Sequence, residues 1–279
     1  ERLERDGHEI LKLNIGNPAP FGFEAPPEIV EALQLALPNA QGYSDSRGIL
    51  PAREAVSRFY AEEGVHGIRP DDVIIGNGVS EMISLVLQAL VDDGDEILVP
   101  SPDYPLWTAQ VTLSGGRAVH YPCDESNGWM PDLTAIEALI TPSTKGIVLI
   151  NPNNPTGAVY SAELVRGFAA LAERHGLVLM SDEIYEKILY DGATHEHAAL
   201  HVSDTLCLTF SGLSKAQRVA GYRAGRASRC WPTCACAQTF PRSTRSPWRS
   251  RPSRLAPGSP SSAHPGAGCG ISATSRTDS

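Results

Sequence analysis

The 279-residue sequence predicts an α/β fold with a mostly parallel sheet and helices on both faces. Three observations carry that prediction. From Asp71 to Lys215 short β-rich runs alternate with helical patterns, as crossover units around a parallel sheet require. Lysine, aspartate, asparagine and tyrosine stand directly after the apolar runs, at the strand ends where open α/β sheets bind their ligands. No apolar run approaches the roughly eighteen residues a membrane helix needs, so no membrane partner is expected.

The elements follow in order. "DVIIGNG" reads as a strand, "SEMISLVLQALV" as a helix with apolar residues three and four apart, and "DEILVP" as the next strand. "RAVHYP" and "GIVLIN" continue the strands. "SAELVRGFAALAERH" is a helix capped by Ser161 and closed by Gly176. "LVLMSD" and "TLCLTF" complete the set, and no internal repeat is present. The residues leaving these strands are Gly78 and Ser80, Pro102 and Tyr104, Asn154, Asp182 and Tyr185, and Lys215.

Charge divides the chain. Residues 226–279 hold eight arginines and one aspartate, so the formal −9 becomes (−9) − (+8 − 1) = −16 for residues 1–225. A body that acidic argues against nucleic acid as a partner. Cys123 and Cys207 have no partner spacing, which predicts a cytoplasmic protein without a disulfide framework; no metal site is expected.

Four local patterns bear on chemistry. Lys215 follows a buried strand on a loop of small residues; a lysine there either reaches solvent or serves as a nucleophilic amine, its pKa lowered by desolvation and a cation such as Arg223. Asp182 ends an apolar strand, so its carboxylate needs a partner: a helix N-terminus, if "SDEIY" opens a helix, or a cationic ring nitrogen kept protonated as an electron sink. "NPNNPTG" is a turn whose prolines fix the amide of Asn154. In "GNGVSE" the backbone at Gly78, Val79 and Ser80 is bare at a helix start, which suits a phosphate.

Taken together these motifs resemble the class I and II aminotransferases of fold type I, which use pyridoxal 5'-phosphate, over residues Asn14 to Gly225. "SGLSK" with Arg223 eight residues later is similar to the family's Schiff-base lysine, Lys215, and phosphate-binding arginine, with Ser214 beside the lysine. "SDEIY" resembles its pyridinium aspartate, Asp182, and ring-oxygen tyrosine, Tyr185; "SPDYP" resembles the segment whose aromatic ring, Tyr104, stacks on the cofactor. "LNIGNP" is similar to the loop whose glycine, Gly16, meets the substrate carboxylate, which Asn154 would also line. "GYSDSRG" resembles the loop whose tyrosine, Tyr43, reaches the cofactor phosphate of a neighbouring subunit. The resemblance implies transfer of an amino group between an amino acid and a 2-oxo acid by a homodimer. "LKLNIGNPAPFGFEAP", "YSDSRG" and "GLSKAQRVAGYR" are most similar to the group that interconverts alanine and 2-oxoglutarate with pyruvate and glutamate. A β-lyase on the same fold shares every motif named, and a non-catalytic module that binds the cofactor is the other reading, though it would need an attached DNA-binding segment and none appears in these residues. Gly212, where many members carry a hydroxyl, and Arg218, where many carry a small residue, depart from the pattern.

The expected domains are an N-terminal arm with substrate and dimer loops over 1–50, a cofactor-binding large domain over 51–225, and a non-native, disordered tail over 226–279. The tail is poor in Ile, Leu, Val and Phe and rich in Arg, Ser, Pro, Ala and Cys, the mixture that GC-rich coding sequence gives out of register. A frameshift near codon 225 is therefore expected, with the family's small C-terminal domain absent and its substrate-pairing arginine lost. A basic arm, or a metal site from Cys230, Cys234 and Cys236, are the other readings of the tail.

Overall fold

The computed structural model describes residues 2–10 and 16–230. The readings made for residues 231–279 therefore lie outside the described residues.

The chain opens with a single helical turn, α1 (Arg2–Arg5), then α2 (Pro27–Ala36) and α3 (Leu50–Glu62). The sheet begins with β1 (Val73–Asn77), followed by α4 (Val79–Leu90), β2 (Glu96–Ser101), α5 (Leu106–Leu113), β3 (Arg117–Asp124) and the short β4 (Met130–Pro131). After α6 (Leu133–Glu137) come β5 (Thr144–Ile150), α7 (Ala162–His175), β6 (Val178–Asp182), β7 (Cys207–Gly212) and β8 (Ala224–Cys230). The eight strands form one sheet in the order β1-β8-β7-β6-β5-β2-β3-β4. Strands β3, β2, β5, β6 and β7 run parallel, whereas β8 is antiparallel to both its neighbours and β4 pairs antiparallel with β3.

Strand residues alternate between two cores, because successive side chains point to opposite faces. On β5, Ile147 and Leu149 join one cluster with Tyr60 of α3 and Val165, Phe168 and Leu171 of α7. Val148 and Ile150 join the other, with Met82, Ile83 and Leu87 of α4 and Trp107 and Val111 of α5. Near-continuous apolar runs such as "GIVLI" follow from having helices on both faces. All five residues of β6 are buried, and Ile147 to Ile150 are at most 1% exposed.

Helix α7 shows why its sequence folds this way. Ser161 Oγ accepts a hydrogen bond from Leu164 N at 3.2 Å, Glu163 lies in the first turn, and Arg174 and His175 lie in the last. Gly176 adopts the left-handed conformation (φ 62°) and donates its N–H to the Ala172 and Glu173 carbonyls. By contrast α2 buries none of its side chains, and Leu33, Leu35 and the adjoining Leu37 are exposed.

One expectation needs correcting, and one of the alternatives left open for Asp182 falls away. Strand β8 continues five residues past the boundary expected at 225. The Cys207↔Cys230 and Val73↔Ser228 registers tie it to β7 and β1. Nor does "SDEIY" open a helix: the chain turns after Asp182, whose Oδ1 accepts from Ile184 N at 3.3 Å.

Candidate functional site

Because β8 is antiparallel to both β1 and β7, the carboxyl ends of β1, β7, β6, β5 and β2 share one edge of the sheet. That edge receives Asp182 at the last position of β6 and, just beyond their strands, Gly78, Lys215, Tyr185, Asn154 and Tyr104. Strand β8 starts at the same edge, so Arg223 arrives there as well.

Lys215 is half-buried, with Nζ 5.4 Å from the Tyr185 ring centroid. A methyl group placed on Gly16 would lie 3.6 Å from that same nitrogen, so the N-terminal loop and the lysine loop meet. Asp182 is 2% exposed. Its Oδ2 accepts the indole N–H of Trp107 at 3.1 Å. Burial pushes the Asp182 carboxyl up to about 6, against the pull of that hydrogen bond, of Ile184 N and of the Lys215 charge. The carboxylate thus lacks a full counter-charge where its strand meets the open edge.

The second half of the site is built on α4. Gly78 holds φ 84°, a conformation that favours glycine, and the helix starts without a side-chain cap, which leaves its first amides free. Arg223, itself at φ 56°, lies over this turn: Nη2 donates to the Asn77 carbonyl at 3.1 Å and Nη1 to the Ala220 carbonyl at 3.1 Å. A Cβ on Gly78 would fall 2.5 Å from Arg223 Nη2, and one on Gly225 would fall 2.2 Å from the Gly78 carbonyl carbon. Bare backbone and guanidinium therefore form one cationic cradle, with Val79 and Ser80 in its first turn. Ser214 stands half-buried next to Lys215.

Asn154 projects half-buried from the turn after β5, whose shape is held by its neighbours. Asn153 Oδ1 accepts from Thr156 N and Oγ1, and Asn151 Oδ1 accepts from Tyr160 N at 2.9 Å. Tyr104 packs its ring against the core formed by α4 and α5. Tyr43 stands apart from the rest and is fully exposed. Its loop is nonetheless pinned: buried Arg53 donates to the Gly48 carbonyl at 3.0 Å and pairs with Asp45, and Ile75 N donates to the Arg47 carbonyl.

The structure also explains one departure from pattern. A Cβ at Gly212 would lie 2.6 Å from the Ala224 carbonyl oxygen, so β8 leaves no room for a side chain there. Arg218 is exposed at φ 59° and donates its N–H to the Lys215 carbonyl, closing the turn beyond the lysine. Two features escaped the sequence reading. Trp107 reads as a core anchor in "LWTAQV", and its polar contact with Asp182 spans 75 residues of chain. A buried cluster of Glu183, Glu186, His195 and His197 lies immediately beyond Asp182. Its signal was "HEH" following "SDEIYE".

Known proteins match this arrangement. The sequence profile of "Aminotransferase class I and II" matches residues 8–249. The alanine aminotransferase of Mycobacterium tuberculosis is 61% identical over 225 residues, which are 80% of this chain and 52% of the relative. The glutamate-pyruvate aminotransferase AlaA of Escherichia coli is 57% identical over 225 residues, 81% of this chain and 56% of the relative. Among solved structures, an aminotransferase from Escherichia coli superposes with a TM-score of 0.80 at 55% identity, covering 84% of this chain and 58% of that one. The chain spans about half the length of the curated relatives it matches.

Proposed function

The chain belongs to the class I and II aminotransferases, and on that premise we propose that it transfers an amino group between an amino acid and a 2-oxo acid, alanine and 2-oxoglutarate being the preferred pair. The convergence of Lys215, Asp182 and the Arg223 cradle on one strand edge carries this reading.

Class I and II aminotransferases depend on pyridoxal 5'-phosphate, and the residues present fit it. The α4 cradle takes a phosphate, and the buried Asp182 carboxylate takes a protonated ring nitrogen that restores its missing counter-charge. When bound, the cofactor supplies an aldehyde for an amine and a ring that accepts negative charge from the substrate α-carbon. The chain's own residues then divide the work. Lys215 Nζ is the covalent anchor and, once freed, the base that takes and returns the α-carbon proton. Trp107 and Ile184 N hold the Asp182 carboxylate in place, where it would meet the ring nitrogen. Asn154 and Tyr185 would serve the ring oxygen, and Tyr104 would cover the ring. Val79, Ser80, Ser214 and Arg223 would hold the phosphate, and the exposed Tyr43 of a second copy would complete its shell. Gly16, having no side chain, lets the substrate carboxylate approach between the arm and Lys215, beside Asn154. We place this activity in the cytoplasm, in keeping with free, buried Cys123, Cys207 and Cys230.

The full chain, incubated with the cofactor and borohydride, should form an adduct on Lys215, whereas pyruvate release from alanine and 2-oxoglutarate requires the substrate-pairing arginine that the shifted tail is expected to lack. Lys215→Ala should abolish the adduct that borohydride traps. A borohydride adduct that survives in Lys215→Ala would refute the lysine's role. Cofactor trapped on Lys215 with no turnover, persisting after the C-terminal portion is supplied from a complete relative, would support the non-catalytic module instead.

A further inference from the structure

The buried cluster beyond Asp182 has the construction of a metal centre. Glu183 follows β6, Glu186 lies three residues on, and His195 and His197 come from the loop that returns toward β7. One ligand atom from each lies within 4.8 Å of every other. Glu183 is fully buried, and the side chains of Glu186, His195 and His197 are 9%, 6% and 5% exposed.

The hydrogen bonds around the cluster have a consistent sense. Each carboxylate has one oxygen held from outside. Glu183 Oε1 accepts from Ser181 Oγ at 2.9 Å and from Ala198 N at 3.2 Å. Glu186 Oε1 accepts from Ser211 Oγ at 2.8 Å and from Arg226 Nη2 at 3.0 Å. The other oxygen of each faces the imidazoles: Glu183 Oε2 lies 2.7 Å from His197 Nδ1 and 3.6 Å from His195 Nε2, and Glu186 Oε2 lies 3.8 Å from His197 Nδ1. Glu186 Oε2 and both ring nitrogens of His195 are buried with no hydrogen-bond partner. Orphaned acceptors and donors in an interior are costly, and here they gather about one point. The far nitrogen of His197, Nε2, lies 3.9 Å from Glu63 Oε2, beyond hydrogen-bond distance, on the side of the ring away from the cluster.

We propose that Glu183 Oε2, Glu186 Oε2, His195 Nε2 and His197 Nδ1 form a structural site for a divalent transition-metal ion of the zinc type. Two imidazoles and two carboxylates suit that ion, and four protein ligands close its tetrahedral shell, leaving no open position for catalysis. Tetrahedral bonds of about 2.0–2.1 Å set ligand atoms roughly 3.4 Å apart, so the more distant ligand atoms must draw in while His197 Nδ1 and Glu183 Oε2, now 2.7 Å apart, must separate. His195, with no hydrogen bond to lose, is the group that swings in. Binding displaces the proton that His197 Nδ1 now donates to Glu183. The ion would close the 183–197 segment on itself directly behind Asp182.

The test uses the full untagged chain with its cofactor bound, stripped by chelator and then dialysed against Co2+ or Zn2+. One equivalent of metal should be retained, Co2+ should show the intense visible bands of tetrahedral coordination, and the melting temperature should rise. His195→Gln removes no hydrogen bond of the metal-free cluster, and Glu186→Gln keeps an oxygen for Ser211 and Arg226. Both should keep the metal-free circular dichroism while weakening retention at least tenfold. No retention by the unaltered chain, or equal retention by both variants, overturns the proposal. So does a near-ultraviolet thiolate-to-Co2+ band, which would assign the metal to cysteines.

Discussion

A single side chain sets the clearest pH dependence. The folded pKa of Asp182, about 6, lies above its ordinary 3.8, with burial as the main cause. The folded chain therefore holds the proton more tightly than the unfolded one. The stability this confers is complete below pH ~4 and lost as pH rises through about 6. Two units correspond to about 3 kcal/mol. Asp182→Asn should thus stabilise the cofactor-free chain by about 3 kcal/mol at pH 8 and hardly at all at pH 4, as denaturant titrations at the two values would show. The same variant should weaken cofactor binding. Equal stability at pH 8 would mean that the carboxylate already has a partner. Residues at this scale were legible because chemistry clusters at strand ends: Lys215, Asp182, Tyr185 and Asn154 all leave their strands where the alternating pattern placed them. The Trp107 contact was not legible, since which indole reaches which carboxylate depends on how α5 docks on the sheet.

Among elements, β8 was the one misjudged. Its sequence "AGRASRC" has no β-branched or aromatic residue, so nothing local marks a strand. Its place is instead set by partners on both sides and by close approach: Gly225 touches the Gly78 and Val79 backbone, and Arg226 and Arg229 pair with Glu186 and Asp72. Gly225→Ala should push β8 off the start of α4, costing about 3 kcal/mol by overpacking and weakening cofactor binding together. A thermal melt and a cofactor titration on one preparation would show whether the two losses coincide. Helix α7 offers the contrasting case, fully announced by local residues. Ser161→Ala should cost about 1 kcal/mol by chemical denaturation and leave cofactor affinity untouched, because the cap lies on the exposed start of a helix that packs on the sheet face opposite α4.

At the scale of the whole molecule, the loop carrying Tyr43 is held rigidly by Arg53 yet presents Tyr43, Ile49 and Leu50 to solvent. A braced apolar loop suits a protein partner, and a second copy would bring Tyr43 to the Arg223 cradle. The chain should sediment as a pair, and Ile49→Asp should yield single copies with unchanged circular dichroism and weaker cofactor binding. Single copies of the unaltered chain would remove Tyr43 from the site. The sheet order has one more outcome, in time rather than space. Val73 of β1 is separated from its partner Ser228 by 228 − 73 = 155 residues. A ribosome adding about 5–20 residues per second makes β1 wait roughly ten to thirty seconds for β8, while β2, β3, β5, β6 and β7 can already assemble. Nascent chains halted before Ala224 would thus offer two open strand edges at once, and these are the edges a chaperone must guard until translation supplies the strand that joins them.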